Sequence, residues 1–137
     1  MSERTQASVI LVVEDDPDIR RAMELLLRAE GFDILVAAEG EEALGIMQEH
    51  RPDLVVLDVM LTHVLEGMAL AREMAARPEW ADIPVLIVSS IKQSEYAEFF
   101  PDTGLLDNIV GFLAKPVEPD KLLQHIRKGL QRSFHQG

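Results

Sequence analysis

Five short apolar runs recur along the chain: VILVV at 9–13, DILVAA at 33–38, DLVVLDV at 53–59, PVLIV at 84–88 and IVGFLA at 109–114. They are rich in Val and Ile and mostly apolar throughout rather than alternating. That is the pattern of strands buried on both faces, as in a parallel sheet.

Segments of helical periodicity fit between them. After the first run, Asp16 can N-cap and Pro17 can occupy the first helical position. Ile19, Met23, Leu26 and Leu27 then share one face, and Gly31 offers the stop. A second helix starts near Gly40, turns Ala43, Leu44 and Met47 inward, and ends before Pro52. A third runs from about Glu66 to Arg77 with Met68, Ala71, Met74 and Ala75 inward. A last one opens at Glu118-Pro119 and carries Leu122, Leu123, Ile126 and Leu130. Segment 92–108 is interrupted by Pro101, Gly104 and the Asp-Asn pair at 107–108, so a helix there is short or distorted. The sum is (βα)5, one doubly wound α/β domain with a core at about 8–130 and short tails. Crossovers of this length are right-handed and cover the sheet on both sides.

In such open sheets, ligands bind beyond the carboxyl ends of the strands. The residues expected there are Glu14-Asp15-Asp16, Asp58, Ser89-Ser90 and Lys115-Pro116. Asp58 stands out because it sits inside LVVLDVML, and an unpaired carboxylate is costly in apolar surroundings. If the first and third strands are neighbours, Glu14, Asp15 and Asp58 converge, and at least one of their pKa values should rise. A divalent cation would relieve that conflict. With oxygen donors only, Mg²⁺ is the natural candidate. Lys115 and Ser89 opposite would complete a cradle for a phosphoryl group, with Asp58 as nucleophile. Taken singly, each residue has a plainer reading: Asp16 and Asp58 as cap or turn residues, Ser89 as a turn residue.

The chain has 137 residues and a net charge of −11, from 24 acidic and 13 basic side chains. The balance opposes general binding to nucleic-acid phosphates and suits cations or basic partners, although solubility alone would also explain it. There is no cysteine, so disulfide and thiolate chemistry are excluded. No apolar run reaches a membrane span, and MSERTQAS lacks the basic and apolar regions of a secretory signal. A cytoplasmic domain is the expectation. His50, His63, His125 and His135 lack metal-ligand spacing, and Trp80 reads as a packing residue.

The stretches VVEDDP at 12–17, VVLDVML at 55–61, VLIVSS at 85–90 and FLAKPVEP at 112–119 together resemble the receiver domain of response regulators, the phosphoacceptor module of two-component signalling. The resemblance implies a flavodoxin-like sandwich with strand order 2-1-3-4-5. It implies Asp58 as phosphoacceptor and Mg²⁺ held by Asp15 directly, Glu14 through water, Asp58, and the Met60 backbone carbonyl. It makes Ser89 and Phe112 the switch pair, Lys115 the phosphate contact, and Lys115-Pro116 a candidate cis peptide. The implied partners are a histidine kinase or histidine phosphotransfer protein and an unidentified downstream protein. Neither direct nucleic-acid binding nor membrane insertion is expected, and the chain should be a monomer or weak homodimer. Such a module is no conventional enzyme, since it catalyses only its own phosphorylation and slow dephosphorylation.

Two stretches depart from the family pattern. Thr62 replaces the usual Pro, and Gly67 comes one residue late, so the loop after Asp58 is longer. The span from Ser89 to Lys115 is also longer and carries Phe99, Phe100, Leu105 and Leu106. These either cap the core or form a docking face. Met60 and Ile91, each two residues beyond a key position, are apolar and should shield an acyl phosphate from water. Three other readings stay open: a phosphate-independent interaction module, an Asp-nucleophile hydrolase, and flavin binding. The hydrolase would need a general acid where Met60 stands, and the acidic first loop suits flavin phosphate poorly.

Overall fold

The structure, a computed structural model, describes residues 7–59, 64–89 and 108–136. Strands β1 (Val9–Val13), β2 (Asp33–Ala37), β3 (Leu54–Val59), β4 (Val85–Ser89) and β5 (Ile109–Ala114) form one parallel sheet in the order β2-β1-β3-β4-β5. Helices α1 (Pro17–Ala29), α2 (Gly40–Glu49), α3 (Val64–Ala76) and α4 (Pro119–Gln136) complete the described elements. The doubly wound flavodoxin-like order 2-1-3-4-5 is the one expected. Residues 60–63 and 90–107 lie outside the described residues. With them go the expectations for Met60, Thr62, His63, Ile91, Phe99, Phe100, Leu105, Leu106 and the distorted helix.

The helix boundaries follow from local chemistry. The Asp16 carboxylate accepts from the amides of Asp18 and Ile19, capping α1 as its sequence suggests. At the far end the Gly31 amide donates to the Arg28 carbonyl and the Phe32 amide to the Leu27 carbonyl. Gly31 has φ +97°, so this is a Schellman stop at a position that favours glycine.

Each strand feeds two separate cores. Leu11, Val13, Val55, Leu57, Val85 and Ile87 face α2 and α3, where Trp80 is buried with them. Ile10, Val12, Leu54, Val56, Leu86 and Val88 face the other way, packing with residues of α1 and α4. This double burial explains why the runs are continuously apolar. Trp80 is a packing residue, with the Arg77 guanidinium 4.8 Å above its ring. Ala75 is exposed rather than inward, because α3 turns Leu70, Ala71 and Met74 to the sheet.

β5 does not run in simple register. Val85 pairs with Ile109 but Leu86 pairs with Gly111, leaving Val110 as an extra residue. Beyond this bulge Phe112 pairs with Ile87 and Leu113 with Val88.

Candidate functional site

Alternation carries three charged side chains to one place. Val12, Val56 and Leu113 all belong to the core beneath α1 and α4. Two residues further along each strand come Glu14, Asp58 and Lys115, so the same period that buries the core delivers these groups to its carboxyl edge. The bulge at Val110 is what lets Lys115 join them. Ile109 packs in the opposite core, and an unbroken alternation from it would turn residue 115 away.

The Lys115 ammonium lies 2.6 Å from Asp58 Oδ2 and 3.7 Å from Glu14 Oε1. The Asp58 side chain is 2% exposed and that of Glu14 is 1% exposed, whereas Lys115 keeps 24%. Glu14 is well anchored. Its amide donates to the Ala37 carbonyl, its Oε2 accepts from the Asp16 amide at 3.0 Å, and its carbonyl accepts from Arg20 Nη1 at 2.9 Å. Glu14 Oε1 and both Asp58 oxygens are buried without a hydrogen bond of regular geometry among the described residues. Among those residues, their compensation is the Lys115 ammonium.

Two carboxylates around one ammonium leave a surplus negative charge in a dry place. Glu14 answers by holding a proton. Burial, followed by the proton it can share with the Asp58 carboxylate, pushes its pKa up to about 8, although the Asp16 amide and Lys115 pull the other way. Burial works against the Lys115 charge, but the bond to Asp58 and the surrounding acids overcome it and raise its pKa. A rise in one carboxylate follows the sequence argument, but desolvation leads it rather than crowding by three acids.

Asp15 is exposed and acts on Lys115 through its charge alone. Among the described residues no three acidic or histidine side chains are gathered tightly enough to hold a metal ion. Glu14 Oε1 and Asp58 Oδ1 nonetheless fit a small hard cation, because they are buried oxygen donors without a hydrogen bond among the described residues.

Ser89 and Phe112 lie elsewhere. Ser89 is 2% exposed, follows Ile87 by two and so faces the α2–α3 side, and Phe112 packs against that same core. The Lys115–Pro116 peptide bond is cis. Beside it an apolar cavity of about 460 Å³ opens between α1 and the start of α4, lined by Ile19, Met23, Leu26, Pro116 and Leu122, with Lys115 at its rim. Sequence reasoning missed the bulge and the Arg20 clamp; a six-residue spacing from Glu14 carries no signal for the latter.

Residues 10–127 match the response regulator receiver domain family. The chain belongs to that family. Over 124 residues this receiver domain is 39% identical to the probable transcriptional regulator ycf27 of Cyanophora paradoxa, covering 90% of this chain and 48% of that protein. Over 129 residues it is 32% identical to the DNA-binding response regulator MtrA of Mycolicibacterium smegmatis, covering 94% and 53% respectively. The receiver domain thus spans about half the length of the curated relatives it matches. Among solved structures it resembles the signal receiver domain of a signal transduction histidine kinase from Syntrophus aciditrophicus, with TM-score 0.78, 26% identity and 91% of each chain covered. Receiver domains are the modules of two-component systems that interact with histidine kinases. Among the described residues no helix is long and apolar enough to cross a membrane.

Proposed function

We propose that this receiver domain, a single cytoplasmic unit spanning about 8–130, takes a phosphoryl group onto Asp58 from the phosphohistidine of a kinase or phosphotransfer protein. The observation that carries this reading is the Lys115 ammonium 2.6 Å from the buried Asp58 carboxylate. It places a nucleophilic carboxylate against a fixed positive charge at the carboxyl edge of a sheet.

In the transfer, an Asp58 oxygen forms the new O–P bond as the P–N bond to the donor imidazole breaks, and the imidazole keeps that electron pair. Lys115 moves from ion-pairing the free carboxylate to neutralising the phosphoryl oxygens, where charge spreads in the transition state. Glu14, Asp15, Asp58 and the Met60 carbonyl would hold Mg²⁺, which when bound supplies further charge neutralisation around the phosphoryl oxygens. Ser89 turns from the α2–α3 side to donate its hydroxyl to the new oxygens. Phe112, one strand away on the same face, changes position with it, so phosphorylation shifts a two-state surface. The cavity beside Lys115 supports the reading from the donor's side, because it offers an apolar seat at the rim of the site.

The downstream target is a protein, and the domain acts as a monomer or weak homodimer. The two relatives named above are described as a DNA-binding response regulator and a probable transcriptional regulator, and this chain spans about half of each. With its charge of −11, this receiver domain does not itself contact DNA.

One observation favours a phosphate-independent interaction module instead: Asp15 is exposed and no three acids converge among the described residues. Incubation with Mg²⁺ and acetyl phosphate, followed by intact mass measurement beside Asp58→Asn, separates the two. One phosphoryl group gained only by the wild type supports the phosphoacceptor. Equal gain in both moves the site from Asp58. No gain in either, repeated with a phosphorylated histidine donor, leaves the interaction module.

A further inference from the structure

A second concavity lies on the opposite side of the sheet. Helices α2 and α3 diverge around a groove of about 370 Å³. Gly40 and Ala69 keep it open by their small size, Leu44 and Leu70 form its floor, and Glu39, Glu41 and Glu73 form its rim. Glu73 pairs with Arg77 on its own helix at 2.6 Å. Glu39 and Glu41 are exposed, and their side chains make no ion pair or hydrogen bond among the described residues.

We propose that this groove seats one apolar side chain of a basic amphipathic helix from a protein partner, whose Lys or Arg residues pair with Glu39, Glu41 and Glu73. The volume sits at the small end of the ~300–1,000 Å³ of ligand pockets, which suits one or two side chains rather than a cofactor. The sheet beneath is covered by α2 and α3, so an extended peptide would find no strand edge to bond with. A helix satisfies its own backbone and brings a knob flanked by charges. Acids on the rim repel nucleic acid, and no three acids converge to hold a metal ion among the described residues. The chain's own α1 carries a related pattern, with Leu25 exposed between Arg21 and Arg28. A second copy would bring another −11 charges, however. A foreign cationic helix does not meet that objection. Docking there leaves the Lys115 side of the molecule free.

The test uses the full chain and a labelled helical peptide with one leucine flanked by arginines three and four residues away, read by fluorescence anisotropy. Three variants are compared: Glu39→Lys/Glu41→Lys, which reverses charge on the rim; Ala69→Phe, which fills the groove; and Glu118→Lys/Asp120→Lys, which makes the same charge change at the start of α4. Circular dichroism confirms that each is folded. Affinity should fall at least about tenfold for the first two, stay unchanged for the third, and fall similarly when the peptide's leucine becomes serine. No binding by the wild type overturns the proposal. So does an equal loss in the α4 control, which would mean bulk charge alone, or full affinity in Ala69→Phe. Self-association of the chain in sedimentation, abolished by the rim reversal, would replace the foreign helix with a second copy.

Discussion

The backbone amide of Lys115 donates to the carbonyl of Ser89 at 2.9 Å, while the side chains of the two residues serve opposite faces of the sheet. Lys115 belongs to the carboxylate cluster beneath α1. Ser89 belongs with Phe112 on the α2–α3 side. This hydrogen bond ties the two sides of the site together, so a displacement of the Lys115 backbone is felt directly at Ser89.

The proton on Glu14 predicts an unusual pH response. Its pKa is about 8 in the fold against 4.5 when free. Between those values the folded state holds a proton that the unfolded state has lost, so stability falls as pH rises through the window. Metal-free protein should melt lower at pH 8 than at pH 5.5, and Glu14→Gln should flatten the slope. Lys115, also raised, contributes stability that is constant below its free value of 10.5 and is lost only above it, so it does not tilt this range. On the proposed reading, Mg²⁺ competes with that proton, so its stabilising effect in a thermal melt should grow towards pH 8. An unchanged slope in Glu14→Gln would reject the assignment.

Two helical glycines should respond in opposite senses to alanine. A Cβ on Gly129 would lie 2.7 Å from Leu54 Cδ1 and 3.2 Å from Val110 Cγ2, and Leu54 is fully buried. Gly129→Ala should cost about 1–3 kcal/mol in urea unfolding. Gly45 lies exposed in α2 with nothing within 4 Å, so Gly45→Ala should gain up to about 1 kcal/mol from helix propensity. Equal effects at the two sites would contradict the packing of α4.

Much of this architecture was legible in the residues. The continuous Val and Ile runs marked strands buried on two faces, and Asp16-Pro17 with Gly31 bounded α1 because each acts locally. Strand-end positions pointed to Glu14, Asp15 and Asp58 meeting opposite Lys115; Glu14, Asp58 and Lys115 do meet, while Asp15 stays exposed. The bulge was not legible, since Val110 is an ordinary strand residue and the shift arises from how β5 meets β4. Nor was the difference between Glu14 and Asp15 in burial. Adjacent acids on one loop look equivalent until the amide of Asp16 and the Arg20 guanidinium fix which one turns in.

Deletion of Val110 tests the role of that bulge. It removes the extra residue and leaves the flanking pairs, Ile109 with Val85 and Gly111 with Leu86, so alternation from Ile109 still delivers Lys115 to Asp58. Phosphoryl uptake from acetyl phosphate should therefore stay near the wild-type rate in the deletion variant, whereas Lys115→Ala should lower it about 100-fold, the order for losing one charge-stabilising group. A comparable loss in a folded deletion variant would show that the pairing beyond the bulge had shifted.

Met60 and Ile91 govern the lifetime of the acyl phosphate in the proposed reading. Both are apolar and cannot orient a hydrolytic water. Met60→Asn with Ile91→Glu should speed loss of phosphate by about tenfold, a fraction of what a positioned base contributes. Decay of the phosphorylated double variant, followed by intact mass, measures this directly. An unchanged half-life would dismiss the shielding role.

The two cores described above have no buried residue in common. Substitutions on opposite sides of the sheet therefore meet few shared neighbours, and their energetic effects should add. A lineage carrying this domain can drift along α1 and α4 without disturbing α2 and α3. The reverse change is equally open. Duplicated copies can thus diverge on one side at a time.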